Sequence, residues 1–143
     1  MTDCYVIDKG FDKNNGFINR IINMEYLITT TNAARLVRTI FESVTNGVDP
    51  QGNNIETWAV RRNGHNEKRL VHTTNQWEDK GNIEIVSKRE SNNHIVIAKF
   101  HYWHDFPTDQ RTGDEKYYYY GRFTELLLVH FKECYSDITI HVI

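Results

Sequence analysis

Residues 101–123 hold the densest group of side chains in this sequence that could carry out chemistry. The segment reads HYWHDFPTDQRTGDEKYYYYGRF and combines two histidines, three aspartates, a run of four tyrosines and two arginines. Imidazoles and carboxylates are common metal ligands and common general acids and bases. Tyrosines and carboxylates are also frequent on protein-binding surfaces. The segment could therefore form a metal site, an acid–base site or a binding surface.

A metal site requires several ligands that converge on one point. His101 and His104 follow the stretch HIVIAKF, which alternates as a strand does, and residues three apart in a strand point to opposite faces. Zinc needs three or four convergent ligands, and the two cysteines, Cys4 and Cys134, lie far apart in the sequence. The acids in residues 105–116 do not have the spacing of a calcium-binding loop. We therefore expect two reduced thiols, no metal and no cofactor.

The acids of this segment fit a solvated acidic loop better than a cation site, and such a loop beside tyrosines is also typical of a protein-binding surface. The stretch DFPTDQRTGDEK, residues 105–116, is expected to be a loop because of its proline, glycine and aspartate content. Tyrosine offers a large contact area at low entropic cost, and acids select a basic partner. The expected partner-binding residues are Asp105, Asp109, Asp114, Glu115, Tyr117 and Tyr118.

Nucleic-acid binding is the alternative function. The stretch RRNGHNEKR predicts a hairpin in which basic residues lie near two tryptophans, a combination that can follow a phosphate backbone and stack on bases. The residues concerned are Arg61, Arg62, Lys68, Arg69, Trp58 and Trp77. His72 and His101 could meet within the sheet as an acid–base pair for RNA cleavage, with Arg61 or Lys99 stabilising the phosphate charge. A charged strand edge without any function would show the same basic pattern.

Composition and motifs narrow the function further. The 17 basic and 19 acidic residues give a net charge of −2, which does not predict nucleic acid or an anionic membrane as the partner. The sequence contains no nucleophile elbow, phosphate loop, dinucleotide fingerprint or H-E-x-x-H motif, so it does not predict an enzyme. It also has no apolar run long enough to span a bilayer and no apolar core of signal-peptide length near its N-terminus. We expect a cytoplasmic protein that does not enter a membrane.

Apolar spacing predicts the elements that position these residues. Six apolar side chains recur at helical spacing, and Gly47 supplies the left-handed residue that ends the helix. They are Ala33, Leu36, Val37, Ile40, Phe41 and Val44. Four alternating segments between residues 54 and 104, separated by turn-forming residues, predict an antiparallel meander. The helical period returns in residues 121–136, where His130 lies on the apolar stripe as an expected core histidine. Residues 137–143 predict a last strand that pairs in the sheet.

Two segments near the N-terminus complete the predicted order. Residues 4–8, CYVID, predict an opening strand, and residues 16–29 fit either a helix or a strand. The chain is interpreted as a single domain, residues 1–143, with an α+β fold. We expect an antiparallel meander sheet of four to six strands with two main helices packed on one face, in the order β-α-β-β-β-β-α-β.

The small size and the lack of catalytic motifs are typical of dedicated protein binders such as bacterial immunity proteins. These proteins neutralise a toxin, for example a nuclease, by covering its active site. Our first hypothesis is therefore a cytoplasmic immunity or antitoxin-type inhibitor with a basic toxin domain as its partner. A small ribonuclease or nucleic-acid-binding domain is the alternative.

Overall fold

The order of strands and helices confirms the predicted α+β fold. The computed structural model describes residues 24–74 and 76–142. The elements are β1 (Met24–Thr30), α1 (Ala33–Asn46), β2 (Trp58–Arg62), β3 (Lys68–His72), β4 (Gly81–Glu90), β5 (Asn93–Tyr102), α2 (Asp114–His130) and β6 (Asp137–Val142). From Met24 onward, the segment that fitted either a helix or a strand is the strand β1. The strand expected at residues 4–8 lies outside the described residues.

The six strands form one sheet in the order β2-β3-β4-β5-β1-β6, and all neighbouring strands are antiparallel. Strands β2 to β5 are the predicted meander. β1 pairs with β5 on one side and with β6 on the other. The last strand therefore pairs in the sheet, as the sequence predicted, and among the described residues the two edges of the sheet are β2 and β6.

Both helices pack on one face of the sheet, which we call the covered face. Helix α1 is capped at its start by Asn32, whose Oδ1 accepts a hydrogen bond from the amide of Arg35 (3.1 Å), and at its end by Gly47, whose φ is +76°. The apolar stripes of the helices meet alternate side chains of the strands, and this contact forms the core. Buried core side chains come from α1 (Leu36, Ile40, Val44), α2 (Phe123, Leu126, Leu127) and the sheet (Ile28, Leu70, Ile83, Val96).

The other face of the sheet, which we call the open face, carries a row of charged side chains with one residue from each strand. From β6 to β2 the row is His141, Glu25, Lys99, Glu84, Arg69 and Arg61. Neighbours in the row lie close together: 3.4 Å from His141 Nδ1 to Glu25 Oε2, and 3.7 Å from Lys99 Nζ to Glu25 Oε1. Because opposite signs alternate over most of the row, these charges largely neutralise one another.

A buried contact between a histidine and a carboxylate joins the end of α2 to the loop after α1. The carboxylate of Asp49 has no exposed surface and accepts hydrogen bonds from the amides of Gln51 (2.9 Å) and Asn53 (2.8 Å). Nδ1 of His130 lies 2.7 Å from Asp49 Oδ2. Burial alone would raise the pKa of Asp49, but the contacts with His130 and the two amides outweigh it and lower that pKa. His130 is therefore a mostly buried histidine with a carboxylate partner.

Helix α2 differs from its predicted bounds at both ends. It starts at Asp114, so the preceding loop is shorter than residues 105–116 and all four consecutive tyrosines are helical. It ends at His130 and is followed by a short 3-10 turn, Lys132–Cys134. Within residues 24–74 and 76–142, no helix is long and apolar enough to cross a membrane.

The adjacent leucines of α2 offer a matched test of the packing. Leu36→Ala in α1 and Leu127→Ala in α2 should each lower the free energy of unfolding by about 2–5 kcal/mol, because both side chains are buried. Leu128 is 51% exposed, so Leu128→Ala should change the free energy of unfolding by less than about 0.5 kcal/mol. Urea denaturation of the three variants measures these values. Equal effects at Leu127 and Leu128 would contradict the assigned orientation of α2.

Candidate functional site

The loop between β5 and α2 is held in one conformation by Arg111. The guanidinium of Arg111 donates to the carbonyl of Phe106 from NH2 (2.7 Å) and from Nε (3.1 Å). NH2 also donates to the carbonyl of Trp103 (3.3 Å), and the guanidinium lies 4.6 Å from the centre of the Tyr102 ring. We name residues 104–114 the acidic loop. Arg111 therefore connects the end of β5 to the backbone of the acidic loop from within, and such internal contacts reduce the cost of ordering a loop when a partner binds.

Glu115 is part of this internal support and not of the surface. It is buried, and its Oε1 accepts hydrogen bonds from Tyr102 Oη (2.9 Å) and from the amides of Thr112 (3.1 Å) and Gly113 (3.0 Å). Burial by itself would raise the pKa of Glu115, but the helix amides and Tyr102 stabilise the carboxylate and lower that pKa. Glu115 was expected on the partner-binding surface; instead it lies inside the protein at the start of α2.

Two of the four consecutive tyrosines bind the backbone of the sheet. Oη of Tyr120 accepts from the amide of Phe100 (2.9 Å) and donates to the carbonyl of Met24 (2.8 Å), just beyond the pairing of β1 with β5, which ends at Tyr26↔Ala98. Burial raises the pKa of Tyr120 to about 12, so its hydroxyl keeps its proton and continues to donate.

Tyr119 has the same role at the end of β3. Its Oη accepts from the amide of His72 (3.1 Å) and donates to the carbonyl of Trp77 (2.8 Å). Burial raises the pKa of this tyrosine as well. Backbone groups that the sheet leaves unpaired are therefore satisfied by side chains of α2. Tyr119 and Tyr120 join the helix to the sheet.

The other two tyrosines differ in exposure. The ring of Tyr118 is half-buried and stacks on Trp77 with ring centres 3.8 Å apart, and its hydroxyl lies 3.1 Å from Thr74 Oγ1 and from His72 Nδ1. Tyr117 is 50% exposed, one turn into the helix from the acidic loop. Of the two tyrosines expected to bind a partner, Tyr117 presents the larger free surface.

The three aspartates predicted to bind a partner are all exposed. Asp105 and Asp109 lie within the acidic loop, and Asp114 is the first residue of α2. Among the described residues, none of the three forms an ion pair with a cation. Their charge is therefore available to a partner, in contrast to the neutralised row on the open face.

The basic residues of the β2–β3 hairpin do not form one surface. Arg69 and Arg61 lie on the open face, whereas Arg62 and Lys68 alternate with them and point to the opposite side. Arg69 is buried, and its guanidinium donates to Asn82 Oδ1 (3.1 Å) and to Glu67 Oε1 (3.0 Å).

Arg61 and the two tryptophans of the nucleic-acid hypothesis are also engaged within the protein. Arg61 donates to the carbonyl of Glu78 (3.0 Å) and lies 4.5 Å from the centre of the Trp103 ring. Trp58 packs edge-on against His72 (5.1 Å between ring centres), and Trp77 stacks on Tyr118. The hairpin therefore lacks a continuous basic surface with free aromatic rings.

The sheet register separates the two histidines that were expected to pair. His72 lies on the covered face, where it is buried against Trp58, and burial together with the nearby charge of Arg122 lowers its pKa. His101 alternates with Phe100, which faces the core, and so lies on the open face. The expectation of a His72–His101 acid–base pair is therefore wrong.

The partner of His101 is a glutamate that the sequence analysis missed. His101 Nε2 lies 2.7 Å from Glu84 Oε1, and Glu84 Oε2 lies 3.8 Å from Arg69 NH2. A carboxylate, an imidazole and a guanidinium in contact can move a proton and stabilise a negative charge. Alternation within one strand could not reveal this group, because its members come from three strands and meet only through the pairing of β3, β4 and β5.

No group of three or more histidine, cysteine, aspartate or glutamate residues in the described ranges could hold a metal ion. His104 is exposed beyond the end of β5, away from the contact between His101 and Glu84. Cys134 is half-buried, and burial raises the pKa of its thiol, which disfavours the reactive thiolate.

Comparison with known proteins adds no assignment: no family model, no curated protein and no solved structure matches this chain. The function has to be argued from the geometry of the chain's own residues.

Removing the bridging hydroxyls should destabilise the fold. Tyr119→Phe and Tyr120→Phe should each lower the free energy of unfolding by about 1–3 kcal/mol, because a buried amide and a carbonyl lose their partner. Tyr117→Phe, at a half-exposed position of the same helix, should have almost no effect. Urea denaturation compares the three. If the Tyr119 and Tyr120 variants were as stable as the unchanged protein, the hydroxyl bridges would not support the fold.

The lowered pKa of Glu115 predicts a pH-dependent stability. A carboxyl whose pKa is lower in the folded state stabilises the protein above its ordinary pKa of 4.5, and this contribution is lost as the pH falls through the folded value. Glu115→Gln should therefore be less stable than the unchanged protein near neutral pH, and the difference should shrink in acid. Asp114→Asn, one residue earlier and exposed, is the control and should show little difference at either pH. A difference for Glu115→Gln that stays constant with pH would contradict this role.

Proposed function

We propose that the chain is a protein-binding module of the immunity or antitoxin type. It neutralises a toxin, such as a nuclease, by placing the acidic loop over a basic active site. The observation that carries the proposal is the contrast between two sets of charges. Glu25, Glu84, Arg69 and Lys99 on the open face pair with charged neighbours, whereas Asp105, Asp109 and Asp114 are exposed without a cation partner among the described residues.

The rigidity of the acidic loop supports a binding role. A loop that becomes ordered only on binding lowers the affinity, because its ordering costs free energy. The contacts of Arg111 and Glu115 form when the protein folds, so this cost is not part of the binding step. Exposed acids on a fixed backbone accelerate association with a basic surface and select against acidic partners.

Tyr117 supplies an apolar contact next to these acids. Aromatic residues near the centre of an interface often carry most of the binding energy. Tyr117 is half-exposed at the start of α2, so its ring can be covered by a partner without disturbing the core. Tyr118, by contrast, is already stacked on Trp77. We therefore place the main aromatic contact at Tyr117.

A second candidate function rests on the contact between His101 and Glu84. In RNA cleavage a general base takes the proton of the 2′-hydroxyl, which attacks the phosphorus, and a general acid protonates the departing 5′-oxygen. Glu84 and His101 could fill these roles on the open face, with Arg69 near the phosphate. Against this, Arg69 is buried and already engaged by Asn82 and Glu67. We therefore keep this activity as the alternative.

The proposal is tested by reversing the charge of the acidic loop. The immobilised protein is used to capture partners from a lysate of the cells that make it, and the captured protein is then titrated against variants at several salt concentrations. Replacing Asp105, Asp109 and Asp114 by lysine should slow association and weaken its salt dependence, while the melting temperature stays unchanged.

The matched control is the triple variant Glu42→Lys, Glu56→Lys and Glu133→Lys, which changes the net charge equally at exposed positions away from the acidic loop. This control should bind the partner nearly as well as the unchanged protein. Equal binding by both triple variants at every salt concentration would refute the proposal. Cleavage of RNA that is lost in Glu84→Gln and His101→Ala, and kept in the acidic-loop variant, would favour the alternative instead.

A further inference from the structure

The edge strand β6 has little of the protection that exposed edges of sheets usually have, since its one acid, Asp137, is its first residue. Natural edge strands avoid unwanted pairing by being short or by carrying charges, prolines or bulges. The opposite edge, β2, follows this rule, since it has five residues and ends in Arg61 and Arg62. β6 has the sequence DITIHV, with neither lysine nor proline, and Ile140 and Val142 are 47% and 38% exposed. No strand within residues 24–74 and 76–142 pairs with its outer edge.

We infer that β6 binds the β6 strand of a second copy of this chain, antiparallel and across a two-fold axis. The two sheets then form one continuous sheet. A two-fold interface requires a surface that is complementary to itself, so every contact must occur twice. The sequence of β6 meets this requirement.

The register of the paired strands follows from two conditions. Residues directly opposite in an antiparallel pair lie on the same face of the sheet. Ile138 and Ile140 lie on the covered face, whereas Asp137, Thr139 and His141 lie on the open face. The two isoleucines of one copy must therefore lie opposite isoleucines of the second copy. Pairing centred on Thr139 places Ile138 opposite Ile140 of the second copy and Asp137 opposite His141, each pair occurring twice.

Centring the pair one residue later loses the charge complementarity. With Ile140 on the axis, His141 would face Thr139, and Asp137 would lie beyond the paired residues. The register centred on Thr139 thus combines apolar pairs on one face with opposite charges on the other, and both kinds of cross-strand pair stabilise sheets.

The same register continues the charged row of the open face into the second copy. His141 already lies 3.4 Å from Glu25 within its own chain. In the dimer its other neighbour would be Asp137 of the second copy. An imidazole between two carboxylates can interact with both, so the alternation of acidic and basic groups continues across the axis. The dimer therefore needs no change in the rest of the sheet.

The test is the oligomeric state of the full chain, measured by sedimentation over a range of concentrations. We expect a dimer. Ile140→Glu and Asp137→Lys should each raise the dissociation constant of the dimer by about tenfold or more, because the two-fold axis places each change in the interface twice. Adding His141→Glu to Asp137→Lys reverses both charges of the pair and should make the dimer tighter than that of Asp137→Lys alone.

Val86→Glu is the matched control for Ile140→Glu. Val86 is 42% exposed on the open face, away from β6, so this variant should dimerise like the unchanged protein. A full chain that stays monomeric at every concentration would overturn the inference, as would equal dimerisation of the two glutamate variants. The amides of β6 that bond to β1 are protected from hydrogen exchange in any case. A monomer in which the outward-facing amides of β6 are protected as well would also overturn the inference, and would point to a partner strand from residues 1–23 of the same chain.

Discussion

The fold depends on hydrogen bonds from two buried tyrosine hydroxyls to the backbone of the sheet. At the end of β3 and beyond the last pair of β1 with β5, the strands leave amides and carbonyls without strand partners. Tyr119 and Tyr120 each accept one hydrogen bond and donate one at these places. Unpaired buried backbone groups would be costly, so the register of α2 against the sheet is fixed by geometry and not by apolar contact alone. The acidic loop is positioned by the same helix.

Two groups of charged residues in this protein differ in what surrounds them. Arg69, Glu84 and Glu115 are held by neighbours, and changing them would disturb the fold first. The aspartates of the acidic loop make no such contacts with described cations, so their main effect is on the electrostatic potential in the solvent around the loop. This difference separates structural charge from charge that can serve recognition. It also explains why a near-neutral chain can still present an acidic surface.

Much of the fold could be predicted because its signals are local. The apolar stripe of α1, the alternation of β2 to β5 and the left-handed Gly47 each depend on a few neighbouring residues. The start of α2 could not be predicted, because four consecutive tyrosines carry no period that separates a buried face from an exposed one. The candidate site was only partly predictable, since exposed aspartates can be read from loop composition while the burial of Glu115 cannot. The separation of His72 from His101 depends on pairing between strands, and Ile95, Val96 and Ile97 blur the alternation in β5.

The placement of β1 between β5 and β6 sets an order of events during synthesis. Both neighbours of this strand follow it in the chain, so β1 has no partner in the sheet when it is made. At about 5–20 residues per second, several seconds pass on the ribosome before β5 is available. During that time the apolar side chains Leu27 and Ile28 have no sheet to cover them. The nascent chain therefore exposes these apolar side chains early, and it completes its sheet only after β6 has been synthesised.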